Sequence, residues 1–506
     1  MPWLTLLLVL PLIGAAVAWF AGSEPRVAKQ IGLVASLATM VVSILMALQF
    51  STTTDAFLQF QESHPWIPAF GVNYSLGVDG IALVLILMST ILVPVTLLAD
   101  WNAADHGYGT TKGYVALTLI LESMMIGVFA ATDVFLFYVF FEAILIPMYF
   151  LIGRFGGARR QYAAIKFLLY SLAGGLIMLA ALIGLWVQSK NQLGAGTFDW
   201  ATLASLDIDP TTEKWLFLGF FIAFAIKAPL VPVHTWLPDA AAEATPGSAT
   251  LMVGVLDKIG TFGMLRYLLV LFPAASLWAT PVIIVLAIIS IFYGALLAVA
   301  QSDLKRLIAY TSISHFGFIT LGIFAFTSQA QSGASLYMVN HGFSTAALFL
   351  IAGFLISRRG SRFIEDFGGV NKVAPLLSGA FLLAGLSSLA LPGMSSFVSE
   401  FLVLVGTYTR YPAEAVVATL GIVFAALYIL WMYQQTMTGE PTAEVAEKVT
   451  EINRRELVAI APVLAIIIAT GFVPQVLLNV INPTVEKTMR VVAVSDPAPT
   501  IEGMHG

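Results

Sequence analysis

The sequence predicts an all-α, polytopic transmembrane bundle of about 14 helices, with two inverted five-helix repeats and broken helices 7 and 12. Three observations predict it: an extreme apolar composition, a regular series of long apolar runs, and proline breaks in two of those runs. Of 506 residues, 59% are hydrophobic and only 10% charged, and mean hydropathy is +0.90. A water-soluble protein carries roughly 25% charged residues, so most of this chain must face lipid or other apolar helices. The net charge of -5 is small, and no basic patch suggests nucleic acid.

A helix spans a bilayer with about 18–25 apolar residues. Such runs occur at roughly 2–20, 27–50, 79–99, 113–131, 133–152, 162–187, 214–236, 247–271, 281–299, 304–327, 333–357, 375–406, 413–437 and 455–480. They are continuous rather than alternating, which excludes a membrane barrel. The first has no positive region before it, because the first basic residue is Arg26; it reads as a membrane helix rather than a signal peptide. Loops after odd-numbered runs hold fifteen of the 24 Lys and Arg residues, and the opposite loops hold five. The positive-inside rule then puts both termini on the external side, periplasmic in a bacterial inner membrane.

Run 7 contains Lys227-Ala-Pro229-Leu-Val-Pro232, and run 12 contains Leu391-Pro392-Gly393. Proline removes a backbone donor and clashes with the preceding turn, so both helices should break there. The breaks lie five runs apart, and an odd number reverses direction through the membrane. An inverted repeat does this, with paired broken helices along a transport route. Two ordinary kinks are the plainer alternative. The repeat reading divides the chain into 1–110 (three helices), 111–272 (helices 4–8), 273–440 (helices 9–13) and 441–506 (helix 14 and tail).

An ionisable group at mid-bilayer costs about 2.5–3.5 kcal/mol on insertion scales. Runs 4, 5 and 6 carry Glu122, Glu142 and Lys166, and Lys227 sits just before the first break. Asp257 and Lys258 lie midway along run 8, His315 in run 10, His341 in run 11, and Glu400 just after the second break. A single buried charge is often structural, bonded to a neighbouring carbonyl or snorkelling to the interface. Snorkelling suits Lys166, and a polar helix end suits His234. As a set, carboxylates, lysines and histidines at similar depth on six helices suit proton transfer, which needs groups in hydrogen-bond reach or bridged by water. Burial pulls a lysine toward neutrality and a nearby carboxylate pushes it back, so a moving Glu142 would load and unload Lys227. Histidine titrates near pH 6.5 when unperturbed and suits a relay.

Cysteine is absent, which excludes thiolate-held iron–sulfur clusters and disulfides. The six histidines have no metal-binding spacing, and no phosphate-binding glycine loop precedes a helix. No cofactor and no metal are expected in this chain.

Six motifs in order carry a resemblance: Leu76-Gly-Val-Asp-Gly80, Phe140-Phe-Glu-Ala-Ile-Leu-Ile-Pro-Met-Tyr149, Lys227-Ala-Pro-Leu-Val-Pro-Val-His-Thr-Trp-Leu-Pro-Asp239, Asp303-Leu-Lys-Arg306 with Ala309-Tyr-Thr-Ser-Ile-Ser-His-Phe-Gly317, Asn340-His-Gly-Phe-Ser344, and Leu391-Pro-Gly393 leading to Phe397-Val-Ser-Glu-Phe401. From about Leu76 to Arg455 the chain resembles the antiporter-like subunits of respiratory complex I (NADH–quinone oxidoreductase), the M type most closely, which is the counterpart of mitochondrial chain 4. The resemblance implies a proton-translocating, non-redox membrane-arm subunit. Glu142 and Lys227 would be its essential ion pair, Lys258 the central lysine, His315 and His341 the relay, and Glu400 the terminal group. Asp257, Glu122 and Lys166 are additional candidates for the path, and Pro229, Pro232, Pro392 and Gly393 mark the broken helices.

Glutamate at 400, where L, N and Mrp-type subunits generally carry lysine, favours the M type, as does a chain that stops after helix 14. The family histidine after Pro-Asp-Ala is replaced by Ala241, which cannot relay a proton. The resemblance further implies that flavin, iron–sulfur clusters and quinone sit in partner subunits, with L- and N-type neighbours and the lipid bilayer as contacts. Competing readings are a Mrp-type antiporter subunit, the membrane arm of a proton-pumping hydrogenase, and a structural scaffold.

Overall fold

In the computed structural model, residues 1–21, 24–102, 104 and 109–498 are described. Helices α1 (Trp3–Ala21) and α2 (Pro25–Ala47) precede a two-stranded antiparallel hairpin, β1 (Gln59–Ile67) and β2 (Val72–Val78). The hairpin leads into α3 (Gly80–Ala99), α4 (Thr111–Ala130), α5 (Val134–Ala143), α6 (Leu145–Phe155) and the 34-residue α7 (Arg160–Leu193). A short α8 (Trp200–Leu203) precedes the first broken crossing, α9 (Pro210–Lys227) and α10 (Trp236–Glu243). The eighth crossing is α11 (Pro246–Leu251), α12 (Lys258–Gly263) and α13 (Leu269–Leu271), joined by π-helical stretches Met252–Leu256 and Met264–Leu268.

Three long helices follow: α14 (Pro273–Val299), α15 (Leu304–Phe324) and α16 (Ser328–Arg359). After α17 (Val370–Val373) comes the second broken crossing, α18 (Pro375–Ser388) and α19 (Ser395–Tyr408). Last are α20 (Pro412–Met437), α21 (Ala443–Lys448), α22 (Arg454–Phe472) and α23 (Gln475–Val492).

Among the described residues, twelve spans are long and apolar enough to cross a membrane on their own. The remaining two predicted crossings, 214–236 and 375–406, are the broken ones. Lys227 is the last residue of α9, and the chain turns through Ala228–Thr235 before α10 begins. The freed groups are re-satisfied inside protein, as lipid requires: Trp236 Nε1 donates to Ile226 O (2.9 Å) and Val231 N donates to Ser290 Oγ (3.0 Å). At the second break, Ala390 (φ 58°) and Gly393 (φ 91°) turn the chain in the left-handed region.

Four features depart from the predicted elements. Run 133–152 is two helices, interrupted at Ile144 one residue beyond Ala143. Run 247–271 is not a regular α-helix, because two π stretches rotate its faces. Run 455–480 crosses a real break: α22 ends at Phe472, and Pro474 caps the separate α23. This last helix is amphipathic, burying Ile481, Thr484, Val485, Thr488, Met489 and Val492 at helical spacing. Finally, the hairpin over 59–78 has no counterpart in the apolar pattern.

The core sits where the charges are. The span Pro246–Leu271 is buried along its whole apolar length, and α15 and α16 nearly so. Outer helices such as α7, α14 and α20 expose one apolar face, including Leu169, Val282 and Leu420. The leading Asp79 motif is structural. Asp79 caps α3 by accepting from Ala82 N (2.7 Å) and takes a two-armed ion pair from buried Arg266 (2.5 and 2.8 Å).

Candidate functional site

Glu142 lies on the last turn of α5, next to the Ile144 interruption. Its room comes from Gly175 on α7, where any Cβ would collide with Glu142 Oε1. Lys227 is buried at the end of α9, and its Nζ lies over the rings of Phe141 (5.1 Å) and Phe167 (5.7 Å). Neither Glu142 Oε1 nor Lys227 Nζ has a hydrogen-bond partner, so the expected ion pair stands open.

The other half of the set is connected. Lys258 is wholly buried; its Nζ donates to Val253 O (2.6 Å) and lies 2.6 Å from His341 Nδ1. The Val253 carbonyl belongs to the π stretch Met252–Leu256. Lys258 Nζ also lies over the Phe316 ring, 5.1 Å from its centroid. With Nδ1 accepting from the lysine, the His341 ring proton belongs on Nε2, 3.2 Å from Thr345 Oγ1.

The His341 ring meets the His315 ring edge to face at 5.2 Å, and His315 lies 5.8 Å from the ring of Tyr337. Tyr337 OH donates to Glu400 Oε2 at 2.7 Å. Tyr428 OH stands 3.5 Å from His315 Nε2. Lys258, His341, His315, Tyr337 and Glu400 thus form one continuous buried file across α12, α16, α15 and α19.

Not every candidate joins it. Glu122 is fully buried in α4 with both oxygens lacking a hydrogen-bond partner. Lys166 instead pairs with Asp239 (2.7 Å), which also receives Arg306 Nη1 (2.5 Å). Burial works against ionisation of Asp239, but the bonds and charges of Lys166 and Arg306 outweigh it and hold the carboxyl below its ordinary range. Ala241 is buried and carries no polar atom on its side chain. His234 is not a solvated helix end: it is buried against the Tyr293 ring (5.1 Å), with Nδ1 unpartnered.

Tyr337 and Tyr428 were not singled out in the sequence. A tyrosine in an apolar run looks like core, and only its partner reveals a polar role. Pro229 and Leu230 are buried at the first break, while Pro232, Leu391 and Pro392 are exposed and Gly393 half-buried. Where α3, α10 and α16 end and α15 and α22 begin, a cavity of about 700 Å³ is lined by Asp100, Glu243, Lys305, Arg358, Arg362 and Glu456, among others. Burial raises the Asp100 carboxyl there above its ordinary range. Among the described residues, no cluster of His, Cys, Asp and Glu could hold a metal ion.

Comparison with known proteins bears out the resemblance carried by the motifs. Residues 131–427 match the family model described as NADH:quinone oxidoreductase/Mrp antiporter, TM. The chain belongs to that family. It is 51% identical to NADH-quinone oxidoreductase subunit M of Mycobacterium tuberculosis, covering 99% of this chain and 96% of that one. It is 37% identical to NADH-ubiquinone oxidoreductase chain 4 of Arabidopsis thaliana, covering 96% of each. A chain of respiratory complex I from Thermus thermophilus superposes with a TM-score of 0.87 at 30% identity, covering 97% of this chain and 99% of that one. The Mrp complex of Dietzia (TM-score 0.83, 22% identity, 97% of this chain and 99% of that one) shares the fold.

Proposed function

We propose that this chain is the M-type, proton-translocating membrane-arm subunit of an NADH–quinone oxidoreductase. Quinone reduction in other subunits drives it through coupled charge movements, and electrons do not enter it. The family membership and the similarity to subunit M support the assignment. The observation that carries the mechanism is the buried file Lys258–His341–His315–Tyr337–Glu400.

In this reading Glu142 and Lys227 load the first half of the path. When they approach, the carboxylate stabilises the charged lysine; when they separate, as in the open arrangement here, burial favours releasing the proton. Lys258 takes the proton at the centre, and His341 and His315 pass it on. Glu400 receives it at the far end through Tyr337 or an intervening water. No flavin, iron–sulfur cluster or quinone is assigned to this chain; those belong to partner subunits. Its neighbours are other membrane-arm subunits, including L- and N-type chains, within a bacterial inner membrane and with both termini external.

The inverted-repeat division at 111–272 and 273–440 fits this function. Broken crossings lie five apart, and so do the two longest helices, α7 with 34 residues and α16 with 32. A pair of broken helices lining one buried path is the arrangement expected of repeat-built transporters.

The test uses inverted membrane vesicles carrying the assembled complex. Glu142→Ala or Lys227→Ala should abolish proton uptake coupled to NADH oxidation, by at least about tenfold, the equivalent of ~1.4 kcal/mol. A normal proton-to-electron ratio in either variant would sink the assignment.

A further inference from the structure

No hydrogen bond joins Lys227 to Lys258: Lys227 Nζ has no partner, and Lys258 Nζ bonds Val253 O and His341. Asp257 joins the π stretch Met252–Leu256 to α12. It is fully buried, and both carboxylate oxygens lack a hydrogen-bond partner. Such a group is costly to bury, so its presence at mid-helix calls for a use.

Its direction follows from packing. Gly260, three residues on, lies on the same helix face. A Cβ at Gly260 would sit 2.5 Å from Phe224 O and 2.6 Å from Ala228 N, so this face of α12 lies directly on the end of α9. Phe224 and Ala228 bracket Lys227. Lys258 is about 100° further round the helix and points to α16, where it meets His341. Lys258 Nζ bonds Val253 O and His341 rather than the neighbouring carboxylate. Asp257 is nevertheless in electrostatic reach of both Lys227 and Lys258.

We propose that Asp257 is a proton-holding group that carries protons from Lys227 to Lys258 and so joins the two halves of the path. In the first step an N–H bond of the Lys227 ammonium breaks and an O–H bond forms at Asp257, neutralising both groups. In the second, that O–H breaks and the neutral amine of Lys258 gains the proton, leaving Asp257 ionised again. Bridging water carries the proton wherever the side chains do not touch. The π stretch before them sets where round the helix axis this pair of side chains falls, and π-bulges often mark functional sites.

The inference rests on the proton-translocating reading, so its test carries Lys227→Ala as a reference. Asp257→Asn and Asp257→Glu are assayed in the assembled complex in inverted vesicles. Redox-induced infrared difference spectra are recorded with and without ¹³C-aspartate. Asp257→Asn should lower protons taken up per NADH at least severalfold and remove a carboxylic-acid C=O band that shifts with the label. Asp257→Glu should restore more than half of the uptake.

Normal pumping in Asp257→Asn beside a defective Lys227→Ala would overturn the role of Asp257 while leaving the function standing. Normal pumping in Lys227→Ala would overturn the functional reading, and this inference with it. Loss in Asp257→Asn with no missing band, or without rescue by glutamate, would make Asp257 a fixed charge or a packing group and overturn the proposal. So would failure of both Asp257→Asn and Asp257→Glu to assemble, which would mark a structural residue.

Discussion

The hydroxyl of Tyr337 is the smallest feature on which the proposed path depends. It is the hydrogen-bonded neighbour of Glu400, and the ring beside it belongs to His315. Tyr337→Phe keeps the ring and removes the one bond. Losing a buried partner of a carboxyl group costs about 1–3 kcal/mol. The expected result is an assembled complex, judged on native gels, whose coupled NADH oxidation falls about tenfold. Unchanged turnover would put Tyr337 outside the path. Gly175 makes the matching case at the other end. Gly175→Ala drives a methyl group into the space of Glu142 Oε1 and should reproduce the loss seen in Glu142→Ala with both charged residues still present. Wild-type proton uptake in that variant would show that Glu142 does not need this position.

At the scale of elements, the interruptions matter more than the helices. A continuous apolar α-helix satisfies its own backbone, so it can only pass through the membrane. The breaks after Lys227 and before Ser395, the stop at Ile144 and the π stretch before Asp257 each end or rotate a helix beside a charged group. The prolines made the two long breaks legible in the sequence. The Ile144 stop is legible in the same way, because Pro147 has no N–H for the Ala143 carbonyl four residues back and its ring clashes with it; the two π stretches contain no proline and have no such marker. Gly393 is the glycine on which the second break depends for its conformation. At φ 91° a side chain is strained, and Gly393→Ala should lower stability by about 1–2 kcal/mol. A thermal-unfolding midpoint of the purified complex equal to that of the parent would refute this.

At the scale of the whole molecule, ion pairs near the membrane edge tie the first half of the chain to the second. Asp239 on α10 holds Lys166 of α7 and Arg306 of α15, and Glu243 holds Arg362, which also bonds Asp303 at 2.7 Å. The pairing depresses the Asp239 carboxyl below its unfolded value of 3.8. Its contribution is therefore full above pH 3.8 and lost as pH falls through the lower folded value. Asp239→Asn should destabilise the subunit by roughly 1.5–3 kcal/mol at neutral pH, the worth of hydrogen bonds to charged groups. The difference from the parent should shrink in acid. A deficit that stayed constant down to pH 3 would show that the charge is irrelevant.

What the sequence determined by itself is what short-range chemistry decides. Apolar runs long enough to span a bilayer, prolines that stop two of them, and ionisable residues within them follow from hydropathy and backbone sterics alone. The motifs around Glu142, Lys227, His315, His341 and Glu400 then identified the family. The tertiary structure decided which of those groups meet. It paired Lys166 with Asp239 instead of the row, inserted Tyr337 between His315 and Glu400, buried Asp257 without a hydrogen-bond partner and turned Lys258 toward α16. Such neighbours come from distant helices, and a π stretch shifts every side chain after it round the axis, so spacing along the chain cannot report them.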